Sequence, residues 1–458
     1  MDLILWTIIA YVLAQLAIGV IISRQIKTED DYLIAGRKLG YGLTTFTIFA
    51  TWFGAETCIG AAGAIYIRGL SGGTADPFGY ALCILFMGLF FAAPVWKMRL
   101  TTIADLFRLR FAIIVERTAV ILMIPTSLLW AAAQIRAFGQ VLSASSGIEV
   151  SMTITISAAI VIIYTLFGGL LADAWTDVIQ GVVLIVGLIV LFVTIISHHG
   201  QSMLQSIQPD QLQIFGGPEI SWLDLIEAWA IPVIGSVTAA ELITRAIAAR
   251  SHQVAQRSAV IAGGLYLGIG LIPVFIGLIG YSILPGLENP EQLLPMMAQK
   301  YLPAFVYALF AGALISAILS TVDSALLVSA SLLSHNIIVP LKGNLSEREK
   351  VWLARSAVLG FGFLAYILAL HAEGVYALVK EASAFGSAGI FTVVFFGVFT
   401  RWGGPYSAMA ALLSGVLVWI TAAYFTQSAH PYLTSLACAA GAYTIMAVWE
   451  RKPLRAYY

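Results

Sequence analysis

Thr51-Trp52-Phe53-Gly54-Ala55-Glu56-Thr57 lies halfway along the apolar run Leu43–Ile67. A run of that length crosses a hydrocarbon core of about 30 Å. A glycine beside a carboxylate at its centre has two readings. One is a packing glycine with a glutamate paired to a neighbouring helix. The other is a helix broken at mid-membrane, with carbonyls turned toward a cavity. A second interruption bears on the choice. Pro232 and Gly235, in Ala230-Ile231-Pro232-Val233-Ile234-Gly235-Ser236, predict a kink in the run Ile226–Ile247, because proline removes an amide and crowds the preceding turn.

The chain is made of such runs from end to end. Its 458 residues are 60% hydrophobic and 10% charged, with a mean hydropathy of +0.92, against about 25% charged in soluble proteins. That composition excludes a soluble enzyme, a disordered chain, and a nucleic-acid binder with a basic surface. Lys+Arg and Asp+Glu balance at 24 each, so net charge indicates no partner. Cys58, Cys83 and Cys438 all sit in apolar stretches and suggest neither disulfides nor metal ligands. No cleavable leader and no Gly-x4-Gly-Lys-Ser/Thr motif is present.

Apolar runs between polar breaks predict an all-α integral membrane fold with thirteen spans, numbered 0 to 12. Spans 0 to 5 are Leu3–Ile22, Leu43–Ile67, Phe78–Val95, Thr118–Leu142, Met152–Leu171 and Trp175–Ile196. Spans 6 to 12 are Ile226–Ile247, Ala259–Leu284, Val306–Leu333, Trp352–Leu370, Val375–Phe399, Tyr406–Phe425 and Tyr432–Val448. With the N-terminus outside, twenty of the 24 basic residues fall on the cytoplasmic side. Only Arg68, Lys300 and Lys380 fall outside, and Arg136 lies within a span. This positive-inside bias sets the N-terminus outside and the C-terminus in the cytoplasm. The longest pieces between spans, Ser197–Asp224 and His335–Arg348, are too short for a soluble domain. The whole chain therefore reads as one polytopic domain. Spans 1–5 and 6–10 form two sets of odd number, so the second enters from the opposite side. Matching interruptions in spans 1 and 6 then point to a midplane site between inverted halves, at about 43–198 and 225–400.

Span 8 carries Ala317-Ile318-Leu319-Ser320-Thr321-Val322-Asp323-Ser324. Hydroxyls and carbonyls suit a hard cation, and Ala317 lies one turn before the Ser-Thr pair. Hydroxyls alone would also serve as interhelix glue, but glue requires no carboxylate. Asp173 and Asp177 follow the Gly168-Gly169 pair between spans 4 and 5. Asp173 suits a helix cap, and Asp177 lies one turn further in, where a departing cation would meet it.

The chain resembles the sodium:solute symporter family, whose LeuT-type core is a five-plus-five inverted repeat. The resemblance covers essentially the whole chain. It rests on Asp31-Tyr32-Leu33-Ile34-Ala35-Gly36-Arg37, on Gly-Gly-Leu…Trp-Thr-Asp…Gln at 168–180, on Thr244-Arg245, and on Ser320-Thr321. It implies a primary sodium site of the Ala50, Phe53 and Ala317 carbonyls with the Ser320 and Thr321 hydroxyls. As in some members, it implies a second cation site, here at Asp177, Asp323 and Ser324, where Asp323 stands in place of a hydroxyl or small residue. Two facing carboxylates would either strengthen a cation site or share a proton. The resemblance covers the solute side as well. It implies solute contacts at Glu56, Thr57, Asp76, Phe78, Trp130, Gly235, Ser236, Tyr266 and Lys380. Lys380 against Glu56 and Asp76 favours a carboxylate-bearing or zwitterionic solute. Arg136, about 9 Å beyond Trp130, is a gate or vestibule residue, a snorkelling side chain, or a partner of Glu241. The function expected is sodium-driven uptake of a small organic solute by alternating access in a prokaryotic plasma membrane, with no enzyme activity. The competing classes are a symporter of sugars or other neutral solutes and a transport-like sensor, against which the short tail Arg451–Tyr458 argues.

Overall fold

The computed structural model describes residues 28–167, 170–200, 205–217 and 220–450, with isolated positions before residue 28. Most of span 0, the Gly168-Gly169 pair and the tail from Arg451 lie outside the described residues. Helix dominates, and the β-structure among the described residues is an isolated bridge from Leu39 to Ala249. The principal helices begin with α1 (Tyr41–Trp52), α2 (Ala62–Arg68), α3 (Tyr80–Phe86), α4 (Ile113–Ser146), α5 (Val150–Phe167) and α6 (Leu170–His199). They continue with α7 (Trp222–Ala230), α8 (Ala240–Ala248), α9 (His252–Ile283), α10 (Ala304–Leu333) and α11 (Glu347–His371). The last are α12 (Val375–Ala384), α13 (Ser387–Phe399), α14 (Pro405–Ile420) and α15 (Pro431–Trp449).

Among the described residues, eight helices are long and apolar enough to cross a membrane by themselves, and up to ten if each bent pair is one span. Thirteen is not reached this way, for physical reasons. Spans 1 and 2 share one helical stretch of 42 residues, Glu56–Lys97. The chain reverses inside it at Gly69, which has φ +64°, and at Gly72, which packs against the Ala64 carbonyl where a side chain could not fit. Val150–Leu166 is shorter than a full span.

Three interruptions position the site. α1 stops at Trp52, Phe53 is extended (φ −82°, ψ 92°), and helix resumes at Glu56. A π-helical turn, Ile231–Gly235, carries α7 past Pro232, and α8 resumes at Ala240 with a bend of 41°. α12 and α13 are bent by 44° at Phe385-Gly386, where Gly386 has φ +66°. The sequence reading missed this third break, since no proline marks it.

α10 is the most enclosed helix: 83% of its apolar window is buried, against 28% for α11 and α15, which therefore form the rim. It packs against α4, α6 and α11, while α1 packs against α6 and α9. The break at Phe53–Ala55 thereby faces the middle of α10.

Candidate functional site

The α1 break meets α10 at Ala317. A Cβ on Gly54 would lie 3.8 Å from the Ala317 and Ile318 backbone. The Thr321 hydroxyl lies 3.2 Å from the Ala50 carbonyl and 3.1 Å from the Ala317 carbonyl. Phe53 stacks on Phe49 at 4.5 Å and meets Tyr266 edge-on at 5.2 Å, which fixes the extended residue. Ser320 points elsewhere. Successive helical residues are turned about 100°, and its hydroxyl donates to Asp173 at 2.8 Å and to Asp177.

Those two acids belong to a second polar cluster. Asp173 accepts from Arg245, from Ser320, and from Ser324 at 2.7 Å, while Arg245 also donates to Ser324. Asp177 accepts from Thr47 and Ser320. Asp173 is thus a partner of α8 and α10 rather than a cap. Ser320 and Ser324 share a face of α10, and Asp323 does not. Its two oxygens make no hydrogen bond, and the neighbouring hydroxyl is Thr165 on α5. The structure therefore joins Asp177 and Ser324 through Asp173 and Ser320, while Asp323 shares no hydrogen bond with them and feels Asp173 and Asp177 only as nearby charges.

On the other side of the break, the Thr57 hydroxyl donates to Asp76 at 2.9 Å and meets the Tyr266 hydroxyl at 2.9 Å. Tyr266 is also within 3.3 Å of the Trp52 carbonyl that the break frees. Glu56 accepts from Gln134, and its Oε2 has no partner. Trp52, Tyr80 and Trp130 form an aromatic triad with ring centroids 5.2, 5.6 and 5.8 Å apart. Trp52 and Trp130 line a small cavity of about 30 Å³, partly open to solvent, with Ser127, Gly235, Ser236, Glu241 and Ser383. Among the described residues, the cavity lining contains no Lys or Arg. Ser383 bridges the break in α7–α8 to α3, accepting from Ser236 at 3.0 Å and meeting the Tyr80 hydroxyl at 2.8 Å. Gly235 must be glycine here, because a Cβ would collide with the Ser383 carbonyl.

Of the expected solute contacts, Trp130, Gly235 and Ser236 line the cavity, and Glu56, Thr57, Asp76 and Tyr266 lie beside the α1 break without lining it. Lys380, Phe78 and the expected gate Arg136 stand apart. Lys380 is exposed and lines no part of the cavity. Phe78 packs in a satellite apolar cluster with Ile65, Val274 and Leu278. Arg136 donates to the carbonyls of Ala369 and Glu373, tying α4 to the α11–α12 loop. It does not pair with Glu241, which accepts from Ser127.

Polar clusters brace both ends of the bundle. At one, Glu291 accepts from the Val375 amide and from Gln140 at 3.3 Å, and burial raises its pKa above the ordinary carboxylate range. At the other, His335 bridges Glu29 and Asp105, and Asn336 donates to Asp105 and Glu116. Burial works to raise the pKa of Asp105, but His335 and the Thr101 and Thr102 amides outweigh it and hold the carboxyl low.

Trp52, Tyr80, Ser383, Ser127, Glu241, Thr47 and Arg245 were missed as site residues. Arg245 had a signal, a guanidinium in an apolar span. The aromatics had none, since a site tryptophan and a core tryptophan look alike in one sequence.

The sequence profile of the sodium:solute symporter family matches residues 32–415. The chain is 30% identical over 398 residues to the high-affinity choline transporter 1 of Drosophila melanogaster, covering 82% of this chain and 64% of that protein. It thus spans about two thirds of that relative's length. It is 26% identical to the high-affinity proline transporter PutP of Bacillus subtilis, covering 89% and 90%. In fold it is similar to a Na+-coupled sialic acid symporter in a substrate-bound outward-open state, with a TM-score of 0.85, 21% identity and 99% of each chain covered.

Proposed function

Because the chain belongs to the sodium:solute symporter family, as a multi-pass membrane transporter and not an enzyme, we propose that it couples inward sodium movement to uptake of a small organic solute bearing an ammonium group. The observation that carries the solute class is the pair Trp52 and Trp130, backed by Tyr80, in a cavity whose lining among the described residues has no Lys or Arg. Aromatic faces attract organic cations by about 0.5–2 kcal/mol each, most where water is excluded. With Lys380 exposed, nothing in the lining offers a positive charge to a carboxylate. The proposal thus departs from the carboxylate-bearing solute that Lys380 suggested, keeps zwitterions, held by their cationic end, and adds cations. Relatives that transport choline or proline are in keeping with this.

The primary sodium site in this proposal is the carbonyls of Ala50, Phe53 and Ala317 with the Thr321 hydroxyl, Ser320 being turned to Asp173 and Asp177. Thr321 already spans two of those carbonyls. A second cation is assigned to Asp177 with Thr47 and Ser320. The proposed topology has thirteen spans with the N-terminus outside, inverted halves at about 43–198 and 225–400, and a plasma-membrane location. Alternating access would rock the halves about the breaks in α1–α2 and α7–α8.

The test is uptake into proteoliposomes with and without a sodium gradient, using labelled choline, glycine betaine, L-proline, sialic acid and glucose. Sodium-stimulated uptake confined to one or more of the first three is expected. Uptake of sialic acid or glucose with none of the ammonium compounds would overturn the solute class.

A further inference from the structure

Glu241 has no function in the account so far, yet it is a carboxylate in the wall of the cavity, 5% exposed, in the middle of an apolar fold. A buried charge of this kind is retained only where something meets it. Its hydrogen-bond donor is a neutral hydroxyl, Ser127. The basic residue one turn along α8, Arg245, pairs with Asp173 and donates to Ser324 through one nitrogen, and it reaches Glu241 as a nearby charge without a hydrogen bond or ion pair. No ion pair forms on Glu241 among the described residues.

Its position relative to the aromatic triad follows from helix geometry. Ser127 and Trp130 are three residues apart on α4, so they share a face and stand about 4.5 Å apart along the axis. The carboxylate held at Ser127 is thus one turn from the Trp130 indole, across the same cavity. Trp130 lines the cavity while packing against Trp52 and Tyr80, and its Nε1 makes no hydrogen bond.

We propose that Glu241 is a specificity-determining residue that supplies the counter-charge for the solute's ammonium group, with Ser127 aiming it beneath the aromatic triad. This rests on the ammonium-solute reading above and adds to it a residue and a direction. The triad alone would hold an apolar solute of the same shape nearly as well. Glu241 makes the site require a positive charge, and its place on the α8 side of the break makes it the last partner on the path toward that end of the bundle.

Binding of labelled choline to the purified full-length protein in sodium, with competition by its uncharged isostere 3,3-dimethylbutan-1-ol, tests this. Glu241→Gln keeps shape and hydrogen bonding while removing charge. It is expected to weaken choline binding about tenfold or more, the scale of one lost charge partner, and to leave the isostere within about twofold. Trp130→Ala is expected to weaken both. Ser127→Ala, which frees the carboxylate from its aim, serves as the second variant should Glu241→Gln not insert, and is expected to weaken choline selectively. Equal choline binding by wild type and Glu241→Gln, or equal loss of choline and isostere, overturns the role of Glu241. Wild type that binds none of choline, glycine betaine and L-proline, or binding untouched by Trp130→Ala, overturns the ammonium reading itself and the role of Glu241 with it. Where glycine betaine or L-proline binds in place of choline, the same variants are read with that solute.

Discussion

Two adjacent residues on α10 divide the work that the sequence reading gave to them jointly. Thr321 reaches the Ala50 carbonyl of the broken helix and the Ala317 carbonyl of its own turn. Ser320 is committed to Asp173 and Asp177. The pair was legible as a cation motif because hydroxyls, a carbonyl and a carboxylate fall within two turns of one apolar helix. Which hydroxyl faces which helix was not, because that depends on the rotation of α10 against α1 and α6. Thr321→Ala is therefore expected to raise the sodium concentration for half-maximal uptake about tenfold, with Thr321→Ser close to wild type; sodium titration of uptake measures it. Ser320→Ala leaves two buried carboxylates one donor short, a loss of about 1–3 kcal/mol. It is expected to lower the thermal unfolding midpoint more than Thr321→Ala does. Identical sodium curves and midpoints for the two variants would refute the division.

Helix breaks were the readable elements, and the readings differ in how much of the cause they contained. Gly54-Ala55-Glu56 and Pro232 are local signals, and the chain leaves helical geometry at Phe53 and after Gly235. The reason Gly235 is glycine is non-local: the Ser383 carbonyl of α12 occupies the place of a side chain. The bend at Phe385-Gly386 and the reversal at Gly69 are visible in the sequence only as isolated glycines among 41. These contacts separate two substitutions that look alike on paper. Gly235→Ala forces α7–α8 away from α12, at the cost of overpacking, about 1–3 kcal/mol. Uptake is expected to fall well below a tenth of wild type because the break must stay closely packed to move. Gly54→Ala meets its nearest atoms at 3.8 Å, an ordinary contact. It is expected to fold with an unfolding midpoint near that of wild type. A Gly235→Ala protein with full uptake would show that the close approach is unimportant for transport.

Across the whole molecule, the buried charges set the limit on what the transporter can do. Asp173, Asp177, Asp323 and Arg245 are each at most 1% exposed. Three carboxylates against one guanidinium leave a deficit that an apolar interior tolerates only through cations or protons. Arg245 compensates Asp173 directly. On the proposed assignment Asp177, whose partners Thr47 and Ser320 are neutral, takes the second cation, and Asp323, whose oxygens make no hydrogen bond, is expected to carry a proton. One sodium crossing about 100 mV releases about 2.3 kcal/mol, and a tenfold gradient adds about 1.4 kcal/mol. About 3.7 kcal/mol supports roughly 500-fold accumulation of a solute without net charge, and a second sodium squares that ratio. For a monovalent cationic solute, two coupled sodium ions mean three charges moved per solute, and one sodium means two. Reversal potentials in proteoliposomes read this number directly. Wild type is expected at three, Asp177→Asn at two, and Asp323→Asn still at three, since Asp323 shares no hydrogen bond with the Asp177 cluster. A ratio of three that follows the pH gradient rather than the second power of the sodium gradient would assign the Asp177 charge to a proton. A wild-type ratio of two, unchanged by Asp177→Asn, would remove the second cation altogether, and Asp177 would then have to be neutral in the apolar interior, as Asp323 is expected to be.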